Sequence, residues 1–120
     1  MSQKVVPALG SEHERVMLET CRDRGVSRPR VRCVSHFSQD LRVEFPRDLR
    51  EKYPIGTRFL ATVRVCQKHW NDDGSPKGPP YLRATNIGLI VRSIPDAGLR
   101  AKIHPDSVSG RAYYYVWEEL

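Results

Sequence analysis

Arginine alternates with apolar residues in several short segments of this chain, and that spelling constrains its fold more than any other feature. Arg30-Val31-Arg32-Cys33, Leu41-Arg42-Val43-Glu44-Phe45 and the stretch from Arg58 to Val65 carry it. Successive side chains on a strand point to opposite faces. The pattern therefore predicts that Val31, Cys33, Leu41, Val43, Phe45, Phe59, Ala61, Val63 and Val65 turn toward a core. Arg30, Arg32, Arg42, Arg58 and Arg64 then share the other side.

A chain of 120 residues builds one domain around one core. The expected division is a loose N-terminal tail over 1–10 and a single β-rich domain over 11–120. With 39% hydrophobic and 28% charged residues the composition is that of a globular protein rather than a disordered one. The formal net charge of +6 favours anionic partners, nucleic acid first among them. No run approaches the ~18 apolar residues of a membrane span, and residues 1–10 lack the apolar core of a secretory signal. Three cysteines without a Cys-x-x-Cys pair argue against a disulfide scaffold. The reading is a cytoplasmic protein with no membrane partner.

Ser11 with Glu14 spells a capping box, and Glu12, Glu14, Arg22 and Arg24 suit the two ends of a helix dipole. Gly25 suits the left-handed position after a helix. Val16, Met17, Leu18 and Cys21 supply a narrow apolar stripe, so one amphipathic helix is expected over 12–24. Beyond it the period is two, predicting strands over 30–37, 41–45, 57–68, 81–92, 99–103 and 111–117, with one helical turn over 46–52. Residues 71–80 are almost all turn formers and read as a long mobile hairpin loop. Gly88, inside a continuously apolar stretch, predicts a bulge or close backbone approach. The fold class is mainly β: a small antiparallel barrel or curled sheet, OB-like or SH3-like, of about five to six strands with one N-terminal α-helix.

Arginine presents a planar fork suited to phosphate, and binders of single strands pair such cations with aromatic stacking platforms. The candidate nucleic-acid-binding residues are therefore Arg30, Arg32, Arg42, Arg58, Arg64, Lys68, Trp70, Lys77, Tyr81 and Arg83. An ordinary solvated sheet face is the competing account, with Glu44 and Asp40 neutralising part of the patch. Strand 111–117 is aromatic on both faces. Tyr113, Tyr115 and Trp117 are thus candidate interface residues, for a second copy or a protein partner, or else part of the monomer's own core.

Cys33/His36 and Cys66/His69 share a Cys-x-x-His spacing, a zinc-compatible donor set. On an extended strand residues i and i+3 face opposite sides, so no metal site and no cofactor is expected. Phosphate loops, nucleophile elbows and His-Glu-x-x-His are absent, and the four histidines are scattered. The expectation is a non-enzymatic binding module for nucleic acid. A homodimerising or protein-interaction domain using the C-terminal strand is the alternative, and a small-ligand barrel the third.

Overall fold

The computed structural model describes residues 8–105, 107, 112–118 and 120. Strands β1 (Glu12–Cys21) and β2 (Arg30–Cys33) open the fold, followed by a two-residue β3 (Val43–Glu44) and helix α1 (Arg47–Lys52). The long strands β4 (Arg58–His69) and β5 (Pro76–Ile90) form its central hairpin. A 3-10 turn at Val91–Ser93, helix α2 (Ala97–Lys102) and strand β6 (Tyr114–Val116) complete it. The sheet runs β2-β1-β4-β5-β3, with β6 also pairing with β5 farther along. The β1/β2, β1/β4 and β4/β5 ladders are antiparallel, whereas β3 and β6 both run parallel to β5. The sheet is thus mixed rather than antiparallel.

It is curled but not closed into a barrel. Register slips between His13 and Val16 in β1 and between Leu60 and Thr62 in β4. Arg15 (φ 54) and Asn86 (φ 48) take left-handed backbone at these irregularities, on the two strands flanking β4. Each bulge adds local twist, and both act on the same stretch of β4. The curl brings β2 near β3, but no ladder joins them.

The apolar half of the alternating pattern forms the core. Val31, Cys33, Val43, Phe45, Phe59, Ala61, Val63 and Val65 are all buried, with Leu41 packed against them. Phe59 lies at its centre, 5.0 Å from the Phe45 ring and 6.4 Å from Tyr53. Truncating so central a ring typically costs about 3–5 kcal/mol.

The expected N-terminal helix is strand β1. Val16, Leu18 and Thr20 are fully buried while Met17, Glu19 and Cys21 face the other way. The Met17/Cys21 spacing that suggested a helix is equally a same-face spacing on a strand, because four is close to one helical turn and is also even. Two ladders, to β2 and to β4, then outweigh the capping-box signal. Gly25 does take a left-handed φ of 79, but in the turn toward β2.

The strand expected at 99–103 is instead the end of helix α2, with Ile103 as its C-cap. Asp96 caps it by accepting hydrogen bonds from the backbone N–H groups of Gly98 (2.8 Å) and Leu99 (3.2 Å). Leu99 and Ile103, again four apart, pack against the core. Helix α1 lies where the sequence suggests one helical turn. The strands expected at 30–37 and 41–45 are cut to Arg30–Cys33 and Val43–Glu44, the first ending before His36, whose φ is 69.

The 71–80 loop is also shorter than expected, because β5 begins at Pro76 and only residues 70–75 turn. Among the described residues no strand pairs with residues 76–81 of β5 on the side away from β4, where proline's missing N–H breaks no ladder. At Gly88 the close approach is real: an added Cβ would lie 2.6 Å from the Tyr114 ring and 2.8 Å from Val116. Part of the expected N-terminal tail (1–7), and positions 106 and 108–110 of the loop before the last strand, lie outside the described residues. So does Arg111, the first residue expected in that strand.

Candidate nucleic-acid interface

The sheet's outer face carries basic residues at both of its ends, in different company. On β1, Glu19 stands opposite Arg32 of β2 on one side and opposite Arg58 of β4 on the other. Its carboxylate accepts from Arg32 Nη2 at 2.7 Å and from Arg58 Nε at 2.8 Å. Burial alone would raise the Glu19 carboxyl, but the hydrogen bonds and charges of the two guanidiniums outweigh it and hold it below its ordinary value. Arg30 Nη1 donates to Asp23 at 3.1 Å, and its Nη2 donates to the Gln39 carbonyl at 3.0 Å. Arg30, Arg32 and Arg58, three of the sequence's candidates, are thus already committed to carboxylates. Glu19 escapes the sequence reading because a helix assignment puts it on no sheet face at all.

The hairpin end has the opposite character. Arg42, Lys68, Lys77 and Tyr81 line a groove of about 460 Å³ together with Asp40, Leu41, Gly78, Pro79 and Pro80. One wall is the loop entering β3, held in place where Leu82 N–H donates to the Arg42 carbonyl at 2.9 Å. The opposite wall is the start of β5. Lys68 pairs in register with Lys77, and Arg64 with Arg83. Like charges placed directly across a ladder repel.

Few carboxylates relieve this repulsion. Arg83 Nε has Glu44 Oε2 at 3.6 Å, and Glu44 raises the Arg83 guanidinium further. Glu12 stands across from Arg64 on β1. Among the described residues, Arg42, Arg64, Lys68 and Lys77 make no ion pair.

The two aromatic candidates divide. Trp70 is 51% exposed, with the Lys77 ammonium 4.5 Å from its ring centroid. Its backbone is pinned where Trp70 N–H donates to the Ser75 carbonyl (2.9 Å) and Gly74 N–H donates to that of Trp70 (3.0 Å). Asp73 closes the same turn by accepting from the Ser75 N–H and hydroxyl, which lowers its carboxyl. Tyr81, by contrast, is only 8% exposed and lies beneath the Arg42 guanidinium, 5.7 Å from its centroid. It serves as a seat for Arg42 rather than as an open stacking platform.

The C-terminal aromatics find neighbours within the chain. Tyr113, Tyr115 and Trp117 form a ladder, with ring centroids 5.7 and 5.8 Å apart, packed against the core. Tyr114 and Val116 lie over Gly88 on the other face. The Tyr53 and Tyr113 hydroxyls are 2.7 Å apart, and Lys52 Nζ donates to Tyr113 at 3.2 Å. Burial raises the Tyr113 phenol, but its contacts with Tyr53 and Lys52 lower it on balance. Tyr53, more deeply buried and bonded to Tyr113, is pushed strongly upward. This cluster joins residues 60 positions apart, and no local pattern signals it.

Among the described residues, no three of the His, Cys, Asp and Glu side chains gather as metal ligands. Cys33 is buried in the core. Two serine–histidine contacts exist, Ser35 Oγ with His36 Nδ1 (2.8 Å) and Ser11 Oγ with His13 Nε2 (3.0 Å). Ser35 Oγ also accepts from the Met17 N–H, and among the described residues neither imidazole pairs with a carboxylate. No described helix is long and apolar enough to cross a membrane. No protein-family model matches the chain, and neither does any curated protein or any solved structure.

Proposed function

We propose that this protein is a non-enzymatic nucleic-acid-binding module, and that its binding surface is the groove at the β4–β5 hairpin. The observation that carries the reading is the pairing of Lys68 with Lys77, which line the groove with Arg42, and of Arg64 with Arg83 farther along the same hairpin. Cross-strand like-charge pairs cost stability in the unliganded fold. A phosphate backbone running past them turns that repulsion into attraction and releases its condensed counterions. Trp70, next to the groove through Lys77, which lines it, offers an aromatic surface that a purely electrostatic patch lacks. The Glu19 end contributes little, because binding there means first separating guanidiniums from carboxylates they already hold.

The test is fluorescence anisotropy with a labelled oligonucleotide over a range of salt concentrations. Log affinity should fall linearly with log salt, and replacing Arg42, Lys68 and Lys77 together by Gln should reduce the slope by about 2, at ~0.7 per lost phosphate contact. Absence of binding at low salt, or a slope unchanged in the triple variant, overturns the proposal.

A further inference from the structure

We infer that the groove takes single-stranded rather than duplex nucleic acid, with one base stacked on the indole of Trp70; the inference rests on the binding function proposed above. The site is a concave slot of about 460 Å³ between the loop at Arg42 and the start of β5, whereas a reader of duplex inserts a convex element into a groove ~12 Å wide. A slot of this size admits a nucleotide unit, not a double helix.

Trp70 is half exposed and held on a pinned turn, and the Lys77 ammonium lies 4.5 Å from its ring centroid. Because Trp70 is half exposed where Tyr81 is buried, a base can take the place of the Lys77 ammonium on the indole, which frees Lys77, with Lys68, for the flanking phosphates. Bases of a duplex hide their faces in the stack, so an indole can use them only in an unpaired strand. Arg42, which lines the slot with Lys68 and Lys77, is seated over the Tyr81 ring, 5.7 Å from its centroid, so a third cation is fixed for a strand that enters the slot beside Trp70. Stacking is tolerant of base identity, so weak sequence preference is expected.

The experiment compares a short labelled single strand of mixed sequence with the same strand annealed to its complement, using Trp117→Phe as the parent so that Trp70 is the sole tryptophan reporter. The single strand should bind about tenfold or more tightly than the duplex and quench Trp70 fluorescence. In unmodified protein Trp70→Ala should cost about tenfold in single-strand affinity, the usual scale of one stacked base, while Trp70→Phe retains most of it. Duplex binding as tight as single-strand binding overturns the inference. So does Trp70→Ala at unchanged affinity, while the salt dependence through Arg42, Lys68 and Lys77 leaves the binding function standing. Binding of neither probe at low salt removes the function, and this inference with it.

Discussion

Both ends of one sheet face carry basic residues, yet their charges have different partners. At the β1–β2 end, Glu19 sits between Arg32 and Arg58, and Asp23 holds Arg30. These charges satisfy one another and tie three strands together. At the hairpin end, cations face cations across the ladder, and Arg42 stands beside them. The difference teaches that a basic stripe in a sequence is not yet a binding surface. What matters is whether the neighbouring strand supplies a carboxylate or another cation, and that depends on register.

The largest expected effect in breaking this comparison comes from the groove. Changing Arg42, Lys68 and Lys77 to Gln should weaken oligonucleotide binding about 100-fold at low salt, measured by anisotropy, with the melting temperature equal to or above that of the parent. Next is β5, which pairs with β4, the strand both ends share. Gly88→Ala should lower stability by about 1–2 kcal/mol in urea unfolding, because Tyr114 and Val116 must move aside and β6 loosens from β5. An unchanged midpoint shows the close approach to be dispensable.

The Glu19 end should respond in stability more than in binding. Glu19→Gln is expected to cost about 1 kcal/mol, a figure already discounted because the Arg32 and Arg58 side chains are 39% and 42% exposed and partly screened. Since the folded Glu19 carboxyl is depressed, its contribution is complete above the ordinary Glu value of about 4.3 and disappears as pH falls through the lower folded value. Acid titration of stability should therefore be shallower in Glu19→Gln than in the parent; superimposable curves contradict the clamp. The smallest effect sharpens the contrast: Arg32→Gln with Arg58→Gln should change oligonucleotide affinity by less than about threefold. A larger loss moves the binding surface to the β1–β2 end.

The core was the most legible part of the sequence. Period-two spacing in 30–33, 41–45 and 58–65 places the right residues inward, because strand geometry is local and its alternation strict. Spacing was least informative where it was ambiguous. Met17/Cys21 and Leu99/Ile103 are both separated by four, a spacing that fits helix and strand alike, and each was assigned to the wrong one. The first is resolved by the ladders β1 makes on both sides, the second by the Asp96 cap and packing on the core.

For the site, residue types were legible and partnerships were not. Trp70, Lys68 and Lys77 flank one turn and so meet on one hairpin. Arg42 joins them only because β3 runs parallel to β5 and sets Val43 beside Leu82. Tyr81, farther along β5, is covered by that arrival.

By itself, then, the sequence determined a mainly β domain, the inward set of apolar residues, the close approach at Gly88 and an excess of positive charge. Each follows from local geometry or composition. Tertiary structure alone decided that the sheet is mixed and open, that Glu19 neutralises Arg32 and Arg58, and that Arg42 closes a groove against the hairpin. Those facts depend on strand order and register, which bring together residues tens of positions apart and leave no local trace in the chain.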